Sequence, residues 1–234
     1  MNRHVIVTGA SRGIGHAIAE LFIAEGDHVV ALSRSGQGPA GAVWAAPVDV
    51  ASSEQMNSVI KESIAKFGPV DVLVANAGIT HDGFAMRMSD EQWRSVLSIN
   101  LDGAFFSARA VLSSMIRNRQ GSIIFISSIS PFYGVPGQAN YAASKAGLVG
   151  LARSLAREVA GRGVTVNVVA PGFVDTDMTS NLGSTTDEMT ALIPMGRIGE
   201  VADIAGVVGF LASNHSRYLT GQVIAVDGGL SMGL

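Results

Sequence analysis

The chain has no cysteine. That excludes disulfides and any thiolate metal site. Its five histidines, at positions 4, 16, 28, 81 and 215, stand apart without ligand spacing, so no metal is expected. Charge is sparse, 15% of residues, with a formal net charge of -3. Such a balance does not suit a nucleic-acid binder. Long apolar runs are missing too. No stretch reaches the roughly 18 residues of a spanning helix, so no membrane span is expected. One arginine and one histidine precede a first short apolar run that leads straight into a glycine turn. That start reads as a strand and not as a signal peptide. A cytoplasmic protein is the expectation. A further, local absence matters below: no Asp or Glu occurs between Val29 and Val48.

What is present is apolar. Of 234 residues, 47% are hydrophobic, enough for a large core in a single α/β domain spanning 1–234. Some apolar surface is expected to meet another subunit. His4 to Thr8 is a β-branched run that reads as a buried strand. Gly9, Ser11, Arg12, Gly13, Ile14 and Gly15 follow in a G-x-x-x-G-x-G turn. Then comes a helical pattern with Ile18, Leu21 and Phe22 on one side. Strand, glycine turn and helix form the context of a dinucleotide-binding turn. There the backbone approaches a pyrophosphate and the helix start offers free N–H groups.

His28 to Leu32 reads as a second strand. A ribose-binding acid would stand at its end in an NAD-specific site. Here Ser33 and Arg34 occupy that place. With Arg12 in the first turn, Arg34 suits a 2′-phosphate, so NADP is expected. Gly36 to Gly41 is too short for a crossover helix, so the third strand, Val43 to Val48, is reached by an abbreviated link. Asp49 and Val50 end it, where an adenine ring could be held. Ser52 or Ser53 caps a helix to Phe67. Val70 to Ala75 reads as strand four and ends in Asn76, Ala77 and Gly78.

Ser89 to about Asn118 reads as one long helix with Asn100 in its middle, a residue that distorts helices by bonding nearby backbone. Ser122 to Ile126 is strand five, with Ser127 and Ser128 at the end where ligands bind in open α/β sheets. Val164 to Val169 is strand six, ending in Pro171 and Gly172. A last helix covers Val201 to Leu211, and a last strand Val223 to Val226. Strands alternating with helices predict one doubly wound, parallel α/β sheet of about seven strands with helices on both faces, of Rossmann type.

Tyr141 and Lys145 stand four apart at the start of a helix running to about Ala160. On a helix such residues share a face. A nearby ammonium favours phenolate and should lower the tyrosine pKa, and a tuned tyrosine can pass protons. Taken alone, the pair is more readily a packing tyrosine and a solvated lysine. Its place beside the other strand-end residues gives it weight.

Together, Thr8–Gly15, Asn76-Ala77-Gly78, Asn100, Ser128, Tyr141-x-x-x-Lys145 and Pro171-Gly172 resemble the classical short-chain dehydrogenase/reductase family. The separation of 13 residues between Ser128 and Tyr141 fits as well. The likeness covers residues 3 to 230. Within the family, GQANYAASKAG, MRMSDEQW and LAREVAGRGVTVNVVAPGFVDTDMT are most similar to bacterial 3-oxoacyl-[acyl-carrier-protein] reductases of fatty-acid synthesis. The short second crossover resembles the actinobacterial, mycolate-pathway version.

The resemblance implies NADPH-dependent reduction of a 3-oxoacyl thioester on acyl carrier protein. It makes Tyr141 the proton donor and Ser128 a hydrogen-bond donor to the carbonyl. Lys145 would hold the ribose and tune Tyr141, and Asn100 would hold a water linking Lys145 to solvent. Gly9, Ser11, Arg12, Gly13, Ile14, Gly15, Ser33, Arg34, Asp49, Val50, Asn76, Ala77, Gly78, Pro171, Gly172, Val174 and Thr176 would border the cofactor. A homotetramer is implied, and the apolar spread of the catalytic helix (Leu148, Val149, Leu151, Leu155, Val159) agrees.

A substrate lid is expected over about 176–195, where Met178, Leu182, Met189, Leu192 and Ile193 suit an acyl chain and Gly183 to Thr186 suit flexibility. Tyr133 would line the opposite wall. Arg119 and Arg162 are candidates for docking the acidic carrier. Two other readings share much of this pattern: a reductase for acetoacetyl-CoA or another small carbonyl, and a cofactor-binding regulatory protein without turnover.

Overall fold

The computed structural model describes residues 2–176 and 190–232. Its strands are β1 (His4–Thr8), β2 (His28–Ser33), β3 (Trp44–Pro47), β4 (Val72–Ala75), β5 (Gly121–Ile126), β6 (Val164–Pro171) and β7 (Val223–Val226). They form one sheet in the order β3-β2-β1-β4-β5-β6-β7, with every pairing parallel. The helices are α1 (Gly13–Ala24), α2 (Ser53–Phe67), α3 (Asp90–Leu97), α4 (Gly103–Asn118), α5 (Ser130–Tyr133), α6 (Ala139–Val159) and α7 (Val201–Leu211).

Successive strand residues serve opposite faces. Ile6, Leu73, Ile123 and Phe125 pack with α2, α4 and α6 through Ile60, Val111 and Leu148. Val5, Val7, Val74 and Ile124 pack with α1 and α7 through Phe22 and Val208. A parallel sheet covered on both faces needs apolar residues at every strand position, and β1 is buried throughout. This is the predicted α/β architecture.

Several details differ from the sequence reading, and the following have a plain physical reason. The helix expected over 89–118 is continuous but widens in its middle: α3 and α4 are joined by a π-turn, Ser98–Asp102. Asn100, inside that turn, sends its side chain to Ile79 and Ser144 instead of to its own helix. The third strand is shorter than Val43 to Val48 because only Trp44 to Pro47 pair with β2. Strand four begins at Val72, where pairing with β1 and β5 begins, and not at Val70. Strand six runs on to Pro171 because Val168 to Pro171 pair with β7, proline being tolerated at the end of a strand.

The abbreviated crossover between β2 and β3 is real. Gly38 lies so close to β2 that an added Cβ would stand 2.5 Å from the Ala31 Cβ. The link therefore packs directly where a helix would otherwise lie. Ser52, not Ser53, caps α2 by accepting from the Gln55 amide. The apolar residues of α6 named above turn inward: Leu148, Val149, Leu155 and Val159 belong to this chain's own interior. Its exposed side carries Ala143, Ala146 and Gly150. The spread of apolar residues on α6 therefore reflects intrachain packing.

Candidate active site

The site lies beyond the C-terminal ends of β1, β4 and β5, where the strand order reverses and open sheets bind ligands. At its base, the turn after β1 is locked to the end of β4. The Thr8 hydroxyl accepts from the Asn76 and Ala77 amides, both at 3.1 Å. The Asn76 side chain donates back to the Thr8 carbonyl at 3.0 Å and the Gly9 carbonyl at 3.2 Å. Gly9 adopts φ +68°, and a Cβ there would lie 2.8 Å from the Ala77 Cα. At Gly15 a Cβ would meet the Asn76 amide nitrogen at 2.3 Å. Two of the fingerprint glycines are thus required by the protein's own packing.

The first turn of α1 has no side-chain cap and no acidic residue. Its orphan N–H groups and the positive end of the helix dipole suit a pyrophosphate. Ser11, Arg12 and Ile14 border this opening, and Gly13, at φ +57°, lies across from Thr176. Ser33 is buried, and its hydroxyl donates to the Gln37 carbonyl at 2.8 Å. Arg12, Arg34 and Asp49 are exposed, whereas Val50 is buried against Gly103. The Asp49 carboxylate accepts from the Ala51 amide at 3.0 Å. These residues fit a nicotinamide dinucleotide: an uncapped helix start for its phosphates, and charged groups of both signs at the outer strand ends.

The four residues expected to do chemistry converge. Lys145 is buried, and its Nζ donates to the Ile126 carbonyl at 2.8 Å. It lies 5.6 Å from the centre of the Tyr141 ring. Ser128 is the side chain that favours the Tyr141 phenolate, and its own hydroxyl lies 3.0 Å from that of Ser130. Asn100 is 1% exposed. Its Oδ1 accepts from the Ile79 amide at 2.8 Å, and its Nδ2 donates to the Ile79 carbonyl and the Ser144 hydroxyl, both at 3.0 Å. Both of its side-chain donors are therefore committed to protein. Gly78 is the space these groups need: a Cβ there would lie 3.2 Å from Asn100 Oδ1 and 3.4 Å from Lys145 Nζ.

One electrostatic expectation is corrected. Lys145 does not draw the Tyr141 pKa down. Burial pushes the phenol up to about 12, with the Ser128 hydrogen bond pulling down and the charge on Asp82 pushing up. Burial likewise pushes Lys145 down to about 8. Taking either charged form out of water outweighs their mutual help.

On the far side, Pro171 accepts from the Ile129 amide at 3.0 Å, and Gly172 is pressed on Asp227. Val174 is buried and bridges to Gly199. Of the expected lid, Met178, Leu182, Gly183 to Thr186 and Met189 lie outside the described residues. Leu192 and Met195 are exposed, and Ile193 is buried. Tyr133, at the end of α5, is 44% exposed.

Arg119 and Arg162 do not converge on Tyr141. The Arg119 guanidinium does reach the Gly161 carbonyl at 3.3 Å. Both residues, however, precede strands, β5 and β6 respectively, whereas Ser128 follows β5. They sit at the opposite end of the sheet from the site.

A family model described as Enoyl-(Acyl carrier protein) reductase matches residues 9–231. The chain is 47% identical to the 3-oxoacyl-[acyl-carrier-protein] reductase MabA of Mycobacterium tuberculosis, over 100% of this chain and 94% of that protein. It is 46% identical to the FabG reductase of Staphylococcus epidermidis, over 99% of this chain and 100% of that protein. For the FabG reductase of Thermotoga maritima the identity is 45%, over 96% of each. The chain belongs to the short-chain dehydrogenase/reductase family.

Sequence reasoning placed Ser127 at the strand end but gave it no role: its hydroxyl donates to the Lys145 carbonyl at 2.9 Å. Other residues of this family site it passed over. Ser144, fully buried, accepts from Asn100 and donates to the Tyr141 carbonyl at 2.7 Å. Asn140 Oδ1 accepts from the Tyr141 amide at 2.7 Å, and its Nδ2 donates to the His81 carbonyl at 3.0 Å. Ser130, Gln138 and Asp82 continue a chain that starts at Ser128, at 3.0, 3.2 and 3.2 Å. The available signal was density: six residues from Asn140 to Lys145 hold four polar side chains on a helix that must bury one face. Among the described residues, no group of His, Cys, Asp or Glu could hold a metal, and no helix is long and apolar enough to cross a membrane.

Burial of Lys145 has a consequence for stability. Its folded pKa, about 8, lies below the ordinary 10.5. Between those values the unfolded chain binds more protons, so stability from this group rises with pH. The wild type should gain on Lys145→Met as pH goes from 8 to 10, by up to roughly 1.4 kcal/mol per pH unit. Urea unfolding of both proteins at the two pH values measures this. An equal gap at both would show that the ammonium is not buried.

Proposed function

We propose that the chain reduces 3-oxoacyl thioesters, carried on acyl carrier protein, to 3-hydroxyacyl thioesters in fatty-acid synthesis, with NADPH as reductant. One observation carries the reading. Buried Ser128 and Lys145 flank half-buried Tyr141 beyond the C-terminal strand ends, in a chain 44–47% identical, nearly end to end, to proteins named 3-oxoacyl-[acyl-carrier-protein] reductase.

When bound, the nicotinamide supplies the hydride to the ketone carbon. This chain's residues serve the oxygen. Tyr141 gives its proton to the oxygen as negative charge develops there, and Ser128 donates a hydrogen bond to the same atom. Lys145 bonds the cofactor ribose beside Tyr141. Asn100 acts through position: it fixes Ile79 and the start of α6 around the lysine. These are orientation and preorganised stabilisation of developing charge. The family model's description favours a second reading, reduction of an enoyl thioester. Tyr141 and Ser128 bring two hydroxyls to bear on one oxygen, which suits a ketone better than a carbon–carbon double bond.

NADPH oxidation should follow addition of a 3-oxoacyl thioester and not of its trans-2-enoyl counterpart. A panel that also holds acetoacetyl-CoA and simple ketones separates the related reductases. Tyr141→Phe should lower kcat by about 10²–10⁴-fold and leave cofactor binding intact. Near-normal turnover in that variant would end the assignment of Tyr141 as proton donor, and absence of turnover in the wild type would favour the regulatory reading.

Arg12 and Arg34 support NADPH over NADH, since no acid stands between Val29 and Val48 to take a ribose hydroxyl. Arg34→Asp should raise KM for NADPH and spare or lower it for NADH. Equal kcat/KM of the wild type with both cofactors would contradict this.

The chain acts as a homotetramer in this reading. Phe105, Phe210 and Tyr218 leave large apolar surfaces exposed, and on α4 the Arg109 guanidinium lies 5.0 Å from the Phe105 ring. Light scattering at micromolar concentration tests this, and a monomer would refute it.

A further inference from the structure

Tyr141 stands in the first turn of α6, which begins at Ala139. Its backbone amide is therefore one of the donors that a helix start leaves without an intrahelical partner. Gln138, the residue before the helix, supplies no side-chain cap. Asn140 does the work of one. Its Oδ1 accepts from the Tyr141 amide at 2.7 Å. Its Nδ2 donates to the His81 carbonyl at 3.0 Å and lies 3.4 Å from the Gln92 carbonyl on α3. Asn140 is fully buried, so these bonds are made away from competing water.

The other end of the same residue is held as well. The Tyr141 carbonyl accepts from the Ser144 hydroxyl at 2.7 Å, and Ser144 accepts from Asn100, which pairs with Ile79. Ile79 and His81 lie two residues apart on the stretch leaving β4. The Gly83 amide ties that stretch once more to the entry of α6, at the Gly137 carbonyl, 2.8 Å away. The backbone of Tyr141 is thus gripped at its N–H and at its C=O, and both grips are referred to one stretch of chain.

The consequence reaches the chemistry through leverage. Lys145 and Ser127 anchor α6 to β5 one turn further on. They leave the first turn to its own bonds, and helix ends fray. The phenol oxygen lies at the far end of a long side chain, so a small rotation of that turn is magnified there. A misplacement of about 1 Å can cost on the order of 10² in rate.

We propose that Asn140 is a positioning residue for proton donation: it fixes the start of α6, and with it the Tyr141 phenol, against the His81 carbonyl. The inference rests on the proposed role of Tyr141, not on the identity of the acyl substrate.

Asn140→Leu keeps the volume and removes every bond of the amide. It should lower kcat about ten- to hundred-fold and leave the cofactor Kd at the wild-type value. The solvent deuterium isotope effect on kcat should rise, because the slowed step is transfer of the Tyr141 proton to the substrate oxygen. In a Tyr141→Phe background the same substitution should cost no further turnover, since no phenol proton is left to misplace. A residue acting on the fold or on the cofactor would cost as much there as in the wild type.

Turnover is read on whichever carbonyl substrate the wild type reduces, with circular dichroism as the control for folding. Should Asn140→Leu fail to fold, Asn140→Ser decides. It keeps a polar group beside the Tyr141 amide but is too short to reach the His81 carbonyl, and the same pattern is expected. An unchanged kcat in the folded variant, or an equal loss in the Tyr141→Phe background, overturns the proposal. Near-normal turnover in Tyr141→Phe alone would instead remove the role of Tyr141 itself, and the proposal with it.

Discussion

The site depends on how the end of β5 is tied to α6. Two hydrogen bonds cross that gap in opposite senses. The Ser127 hydroxyl donates to the Lys145 carbonyl, and the Lys145 ammonium donates to the Ile126 carbonyl. The Ser127 amide meanwhile donates to Val169 at 2.7 Å, which fixes the strand end from its other side. Ser128 is the next residue along the chain, and Tyr141 is one helical turn before Lys145. Their meeting is therefore set by two covalent steps from a rigid junction. The junction has a cost: it holds an ammonium out of water with a neutral carbonyl as its bonding partner, and burial lowers the lysine's affinity for its proton accordingly. A more comfortable lysine would lie at the surface and leave Tyr141 unplaced.

The second constraint is Asn100. Its amide pairs with both backbone groups of Ile79 as a neighbouring strand would, and its remaining donor reaches Ser144 on α6. One side chain thus ties the segment after β4 to the catalytic helix. The helix carrying Asn100 widens to a π-turn at that point, a distortion often found at functional sites. Gly78 belongs to the same construction, because a larger residue would crowd Asn100 and Lys145 together. Glycines 9 and 15 follow similar logic around Asn76. A glycine fingerprint in a sequence is usually taken as room for a ligand. Here much of that room, at Gly9 and Gly15, is taken by the Asn76 side chain.

The sheet was legible because its cause is local. Apolar β-branched runs ending in glycine or polar residues mark parallel strands, and those runs alternate with helical patterns from residue 4 to residue 226. The convergence of Asn76, Ser128 and Tyr141 was legible too, since each follows the end of a strand and parallel strands end on one edge. Three things were not legible. The π-turn depends on where Asn100 finds partners, and Ile79 is 21 residues away. The inward turn of the α6 leucines depends on which face the sheet takes, and an apolar residue does not announce its neighbour. Arg119 and Arg162 look like surface charges near a catalytic helix in the sequence, but parallel topology puts the C-terminal end of such a helix a full strand length from the strand's chemical end.

The tyrosine shows where spacing stops being informative. Four residues on a helix fix a distance, and distance alone suggests that an ammonium lowers a phenol's pKa. Coulombic help and desolvation both grow as water is removed, and for this pair desolvation wins: Tyr141 is pushed to about 12 and Lys145 to about 8. A phenol in that state is fully protonated across the physiological range. For ketone reduction this is the useful form. The group must hold its proton until charge appears on the substrate oxygen, and an alkoxide is a far stronger base than a phenolate, so transfer is downhill even from a raised pKa. For alcohol oxidation the same site would need phenolate first, and burial opposes it. Burial and the charge on Asp82 thus hold the proton on Tyr141, against the opposing pull of Ser128.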